Sequence, residues 1–152
     1  MKAKSSPPDG AARCRIGLAA FCADWFKQVG IKSESNAMGA HLRNDHARIV
    51  DFLKQCFDEV VAPGVITTAE EAGRAGAVFK ERNVAALVIV HVFWSEDQPL
   101  IALLDGCREL PMILWNYHPT GHMPTHLTAD DLFRFSGTVG LLQGSVPLQR
   151  RN

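Results

Sequence analysis

The sequence predicts a single α/β domain built on an open parallel sheet with helices on both faces. Four short apolar segments have the length of buried strands, and they lie at residues 15–21, 58–62, 84–90 and 111–115. Segments of helical spacing separate them, and strands that alternate with helices indicate right-handed crossovers between parallel strands. A chain of 152 residues with 47% hydrophobic residues is long enough to bury one full core.

The first connection between predicted strands is the longest and contains the first helix. Residues 24–28 are predicted to form one helical turn, and the Gly- and Ser-punctuated stretch 29–39 is predicted to be a loop. Apolar residues then repeat at helical spacing over 41–57. This spacing predicts an amphipathic helix whose solvated face includes Asp45 and Arg48.

Capping residues mark the starts of the next two helices. Thr68 and Glu71 form a capping-box pattern, in which the threonine hydroxyl accepts from the N3 amide and the glutamate reaches back. This pattern predicts a helix over 68–82. Ser95 is a second possible N-cap, for a helix that ends before Pro111.

The pattern thins towards the C-terminus. Thr128 is predicted to cap a short helix or turn, and residues 136–142 are a weaker, glycine-rich candidate for the start of another helix. We therefore divide the chain into three parts: a flexible N-terminal segment at 1–13, one α/β domain at 14–142, and a tail or start of a linker at 143–152.

The predicted topology is a flavodoxin-like or Rossmann-like three-layer fold. Numbered along the chain, the four predicted strands should lie side by side in the order 2-1-3-4, because the first crossover runs in the opposite direction to the others. In such a sheet, ligands bind in the crevice outside the carboxyl ends of the strands. Function is therefore expected along that edge.

Charge and cysteine content narrow the function classes. Lysine plus arginine equals aspartate plus glutamate at 16 each, which removes the main electrostatic basis for binding nucleic acid or an anionic membrane. The longest apolar run is too short to span a bilayer, and the first residues lack the apolar core of a signal peptide. We expect a cytoplasmic protein without a disulfide framework. Its buried thiols should be Cys14, Cys56 and Cys107, whereas Cys22 lies at the expected ligand edge.

Polar and aromatic residues follow the predicted strands, at their carboxyl ends. The residues that we predict to contact substrate are Trp25, His91, Trp94, Asn116 and His118. Aromatic faces stack on the C–H faces of sugars, while imidazole and amide groups bond to hydroxyls, so the set suits a polar, uncharged ligand. The alternative for Phe93, Trp94 and Trp115 is that they belong to the core at strand ends.

Two common kinds of site are not predicted. No G-x-G-x-x-G sequence follows the first strand, so the glycine turn that holds a dinucleotide phosphate is lacking. His118, His122 and His126 have a spacing that would align three metal ligands on a helix. Pro119 and Pro124 interrupt that helix, and we expect no metal site there.

A longer stretch of sequence carries a family resemblance. Two segments resemble the N-terminal domain of the L-fucose isomerase and L-arabinose isomerase superfamily. They are Arg82-Asn-Val-Ala-Ala-Leu-Val-Ile-Val-His-Val-Phe-Trp-Ser95 and, after it, Glu109-Leu-Pro-Met-Ile-Leu114. Residues 16–26 occupy the place of the first strand and ligand-facing loop of that family. Residues 135–140 occupy the place where the chain of that family crosses to a second domain.

The resemblance implies a substrate-contact and oligomerisation domain. Enzymes of that family interconvert aldoses and ketoses with a divalent metal, typically manganese. Their metal ligands and catalytic glutamates lie in later domains that this chain does not contain. We therefore expect no catalytic residue, cofactor or isomerase activity in this chain alone. The implied partners are a small sugar, the missing C-terminal catalytic domains and further copies in a homo-oligomer.

Two other functions remain open at this stage. The first is a non-catalytic sugar-binding or regulatory α/β domain. The second is a small enzyme that uses Cys22 as a nucleophile or His91 as a base.

Overall fold

The computed structural model describes residues 14–27 and 37–151. The predicted flexible segment 1–13 and most of the predicted loop 29–39 lie outside these residues. The elements, in chain order, are β1 (Arg15–Phe21), a 3₁₀ turn (Asp24–Lys27), α1 (Ala37–Cys56), β2 (Glu59–Val61), β3 (Val65–Ile66), α2 (Ala69–Glu81), β4 (Ala86–His91), α3 (Asp97–Gly106), β5 (Met112–Trp115), α4 (Ala129–Arg134) and α5 (Gly137–Arg151).

All strand pairs in the described sheet are parallel. The order is β2-β1-β4-β5, and the short β3 pairs with the second half of β1. This confirms the α/β three-layer fold and the predicted order 2-1-3-4 of the four predicted strands. The crossover after β1 runs to one side and the crossover into β4 runs to the other, so the switch point lies between β1 and β4.

Helices cover both faces of the sheet. On one face, α1 packs through Met38, Leu42, Ile49 and Leu53. On the other face, α2 and α3 pack side by side and bury Phe79, Leu100 and Leu103. The central strands β1 and β4 are buried on both faces, which explains why they consist almost entirely of apolar residues.

The structure corrects several predicted boundaries. α1 begins at Ala37 inside the predicted loop, because Met38 and Leu42 lie one turn apart and both face the core. The second predicted strand is shorter than expected, and the two-residue β3 that follows it was not predicted. Residues 143–151, assigned above to a tail or linker, continue α5 as a helix.

The capping box predicted at Thr68 and the helix cap predicted at Thr128 are both confirmed. Thr68 and Glu71 exchange side-chain and backbone hydrogen bonds at the start of α2, and Thr128 and Asp131 do the same at α4. The prediction for Ser95 was wrong. The N-cap position of α3 is Glu96, which makes no side-chain capping bond.

The cysteine predictions were partly wrong. Cys107 is buried as expected, but Cys14 and Cys56 are exposed, and Cys22 at the sheet edge is fully buried. Among the helices of residues 14–27 and 37–151, none is long and apolar enough to cross a membrane.

Candidate functional site

The C-terminal helices cover the carboxyl ends of β1 and β4. Gly137, the first residue of α5, packs against the carbonyl oxygen of His91 at the end of β4. One residue earlier, the Ser136 hydroxyl accepts a hydrogen bond from the Trp94 amide at 2.8 Å. The crevice at the switch point, where ligands bind in this class of fold, is therefore filled next to β4 by the chain's own α5.

His91 lies beneath α5 and is 3% exposed. Its Nδ1 is 2.7 Å from the Ser95 hydroxyl oxygen, and its ring stacks on Phe21 with centroids 5.6 Å apart. Within the described residues, Nε2 has no hydrogen-bond partner. Burial lowers the pKa of His91 to about 4, so the imidazole is neutral at pH 7. With α5 in this position, the side chain is closed off from a ligand.

The two predicted tryptophans pack against the C-terminal region. Trp94 is half-buried against the core, and its indole Nε1 donates to Gln143 Oε1 of α5 at 3.0 Å. Trp25 stacks on Phe26 with centroids 3.8 Å apart and meets the ring of Phe133 edge-on at 5.7 Å. Both contacts hold α4 and α5 on the sheet edge.

Asn116 and His118 come together in an exposed polar cluster with Thr138. The Thr138 hydroxyl donates to Asn116 Oδ1 at 2.9 Å and lies 3.4 Å from His118 Nε2. Asn116 Nδ2 is 3.3 Å from the same imidazole nitrogen. Thr138 was not predicted to be a site residue. Its sequence position does not show that it contacts Asn116, because that contact forms only when the first turn of α5 packs near the end of β5.

A buried carboxylate binds Tyr117, the residue between Asn116 and His118 in the sequence. Asp45 of α1 is 1% exposed, and Arg134 of α4 donates to both of its oxygens at 3.1 and 3.2 Å. Tyr117 follows Asn116 and precedes His118 in the loop after β5. Its hydroxyl donates to Asp45 at 3.1 Å. Burial, followed by the charge of Asp45, raises the pKa of Tyr117 to about 12. The prediction that Asp45 lies on a solvated helix face was wrong.

A second polar group lies at the carboxyl ends of β1 and β3. The Thr67 hydroxyl lies 3.0 Å from Asp24 Oδ1 and 2.8 Å from Glu71 Oε2, and Thr67 itself is 5% exposed. Glu71 also accepts from the Thr67 amide at 2.7 Å. These contacts hold the turn after β1 to the start of α2, so we assign them to the framework rather than to the site.

The site brings together part of the predicted set. Asn116 and His118 share one cluster, whereas His91 is closed under α5, and Trp25 and Trp94 are packed against α4 and α5. Within 14–27 and 37–151, no three His, Cys, Asp or Glu side chains are grouped closely enough to hold a metal ion. Cys22, the alternative nucleophile, is buried, and its thiol donates to the Ala23 carbonyl at 3.4 Å.

No protein-family model matches this sequence, and no curated protein matches it. The resemblance to the fucose and arabinose isomerase superfamily therefore stays a prediction that rests on the residues quoted for it.

Proposed function

We propose that this chain supplies one part of a binding site for a small, polar, uncharged ligand of the sugar class. The observation that carries the proposal is the exposed cluster of Asn116, His118 and Thr138 at the carboxyl end of β5. An amide, an imidazole and a hydroxyl together offer both donors and acceptors, which sugar hydroxyls need. No charged side chain takes part in these three contacts, so a neutral ligand fits them better than an anion.

An aromatic ring next to the cluster strengthens the choice of a sugar. The Phe135 ring lies 6.0 Å from the His118 ring at an angle of 49°. Sugars combine hydroxyl groups with apolar C–H faces, and proteins that bind them pair polar groups with aromatic faces. Phe135 and the cluster supply both parts within one short stretch of surface.

The cluster borders an apolar stripe on α5. Val139, Leu142 and Val146 follow helical spacing on one side of α5, and they are 55%, 65% and 47% exposed. Apolar residues grouped in this way mark surfaces that other proteins cover. A polar cluster beside such a stripe is the arrangement expected of an incomplete site that a second protein surface closes.

This proposal agrees with the role that the family resemblance implies. The second surface would belong to catalytic domains like those of that family or to a neighbouring subunit, where the manganese site would also lie. Aldose–ketose isomerisation would then belong to the full-length parent, and this chain would contribute substrate contact and assembly. The alternative is a complete, non-catalytic sugar-binding or regulatory domain that acts through the same cluster.

Ligand-observed NMR tests the proposal. We expect saturation transfer from the purified chain to L-fucose, L-arabinose or related neutral sugars, and loss of the signal in His118→Ala and Thr138→Ala. His122→Ala is the matched control, because His122 is exposed and lies outside the cluster. Saturation transfer that survives His118→Ala, or no transfer to any neutral sugar, contradicts the proposal. Tight binding by the isolated chain favours the complete binding domain over the incomplete site.

A further inference from the structure

The edge strand β5 is left open in the described sheet. It pairs with β4 on one side, and no strand of the described residues pairs with its other side. Ile113, in the middle of β5, is 52% exposed, whereas every residue of β4 after Ala86 is buried. An unpaired strand edge presents backbone donors and acceptors to which another strand can bond.

The hydrogen bonds to β4 show which groups of β5 point outwards. The Leu87 amide donates to the Pro111 carbonyl at 2.8 Å, so the backbone carbonyl of Pro111 points to β4. Backbone groups alternate in direction along a strand. The N–H and C=O groups of Ile113 therefore also point to β4. Met112 and Leu114 direct their N–H and C=O groups to the open edge.

The side chains of β5 at the open edge are apolar on both faces of the sheet. On one face, exposed Ile113 lies beside Trp115, whose ring is 5.3 Å from the half-exposed ring of Phe52. On the other face, Met112 and Leu114 line a groove of about 390 Å³, and its other lining residues are Leu104, Leu110, Pro111, Leu148 and the charged Arg108. A strand added at this edge would need apolar side chains on both of its faces.

The edge formed by β2 differs in its charge. Glu59 of β2 binds Arg15 at 2.7 Å and Arg82 at 2.6 Å. Charged side chains on an edge strand oppose the addition of another strand. β5 has the sequence Met-Ile-Leu-Trp and carries no charge, so strand addition is favoured at this edge and not at β2.

We infer that the open edge of β5 binds β5 of a second copy of this chain, antiparallel and around a two-fold axis at Ile113. The second copy supplies the required occupant, because its β5 is apolar at every position and therefore on both faces. In this register, Met112 and Leu114 of opposite copies exchange backbone hydrogen bonds, and the two Ile113 residues form a non-hydrogen-bonded pair. The interface uses the same patch on both copies and closes on itself. The zero net charge of the chain adds no long-range repulsion between them.

Cysteine cross-linking tests the register directly. In a background where the exposed thiols are removed by Cys14→Ser and Cys56→Ser, we expect Ile113→Cys to form a covalent dimer on mild oxidation. The Cβ atoms of such a pair lie about 4.5–5.5 Å apart, close to the span of a disulfide. Ala77→Cys in the same background is the control, since Ala77 is exposed on α2, and this variant should stay monomeric on a denaturing gel.

Sedimentation velocity tests the interface without cross-linking. We expect the wild-type chain to be a dimer and Ile113→Lys to be a monomer, with the dimer dissociation constant raised at least about tenfold by two opposed lysines. Ala77→Lys, on the exposed side of α2, should remain a dimer. Ile113→Thr, which keeps a β-branched residue in the strand, should weaken the dimer without lowering the melting temperature of the monomer. A monomeric wild type, a dimeric Ile113→Lys chain, or cross-linking through position 77 in place of 113 overturns the inference.

Discussion

Gly140 of α5 lies directly against the imidazole of His91. A Cβ atom at position 140 would be 2.7 Å from His91 Nδ1, which is closer than side chains pack. One turn later, a Cβ at Gly144 would lie 2.6 Å from Leu100 Cδ2. α5 therefore reaches its place over the sheet edge because two positions on its inner face lack a side chain.

Gly140→Ala should destabilise the protein by about 1 to 3 kcal/mol, because the added methyl group forces His91 and α5 apart. Gly73→Ala is the control. Gly73 lies on the exposed side of α2, and no atom of the described residues lies within 4 Å of the place that an alanine methyl group would take. Alanine should therefore stabilise the protein by about 0.4 to 1 kcal/mol. Urea denaturation of both variants compares the two effects. If both substitutions raise the free energy of unfolding by the same amount, α5 does not pack closely on His91.

The stability of the protein should fall as the pH is lowered from 6.5 towards 4. Burial lowers the pKa of His91 from 6.5 to about 4, so the unfolded chain binds a proton in this window and the folded chain does not. One such group contributes a slope of about 1.4 kcal/mol for each pH unit. Ser95, Phe21 and Gly140 surround the ring, and none of them carries a charge that would offset this effect.

Denaturation curves between pH 4 and 8 measure this slope in the wild type and in His91→Gln. The variant should have a shallower slope, with a remainder from His46, whose pKa burial also lowers. The same slope in both proteins would mean that His91 does not titrate between its folded and unfolded states as its burial requires.

Asp45→Asn should cost about 3 to 5 kcal/mol, because it leaves the Arg134 guanidinium, which is 16% exposed, without its buried counter-charge. Tyr117→Phe removes one hydrogen bond to the same carboxylate and should cost about 1 kcal/mol. Asp51→Asn changes an exposed residue of the same helix and should have little effect. If chemical denaturation gives the same small change in the free energy of unfolding for Asp45→Asn and Asp51→Asn, the buried ion pair does not hold α4 to α1.

Trp94→Ala should lower stability by about 3 kcal/mol, because the indole packs on the core and bonds to Gln143 of α5. Trp94→Phe keeps an aromatic ring but loses this hydrogen bond, and it should cost about 1 kcal/mol. A thermal melt beside a sugar titration separates a packing role from a binding role. A stable Trp94→Ala chain that has lost sugar binding would restore Trp94 to the ligand site.

Much of the fold was predictable because its signals are local. The apolar runs of β1 and β4, the threonine caps of α2 and α4, and the direction of each crossover follow from short patterns and from the handedness of βαβ units. α5 was predicted only in part. Three glycines and Pro147 lower its intrinsic helix propensity, and its packing on β4 and α3 outweighs that preference.

For the candidate site, the sequence predicted the edge of the sheet but not which residues meet there. The sequence placed Asn116 and His118 after one strand, and the structure brings them together. It also placed His91 and Asp45 at positions that looked accessible, yet both are buried. Their burial depends on α4 and α5, which lie more than forty residues later in the chain and whose contacts leave no local pattern.

The sequence by itself determined the order of the four longer strands and the helices between them, the parallel sheet, and the end of that sheet where polar residues gather. These features follow from periodicity, capping and crossover handedness, which act over a few residues or one βαβ unit. The tertiary structure decided that α5 closes over His91, that Thr138 joins Asn116 and His118, and that the outer edge of β5 has no strand partner among the described residues. Each of these depends on which distant surfaces meet, because burial and hydrogen bonding are set by the partner rather than by the residue alone.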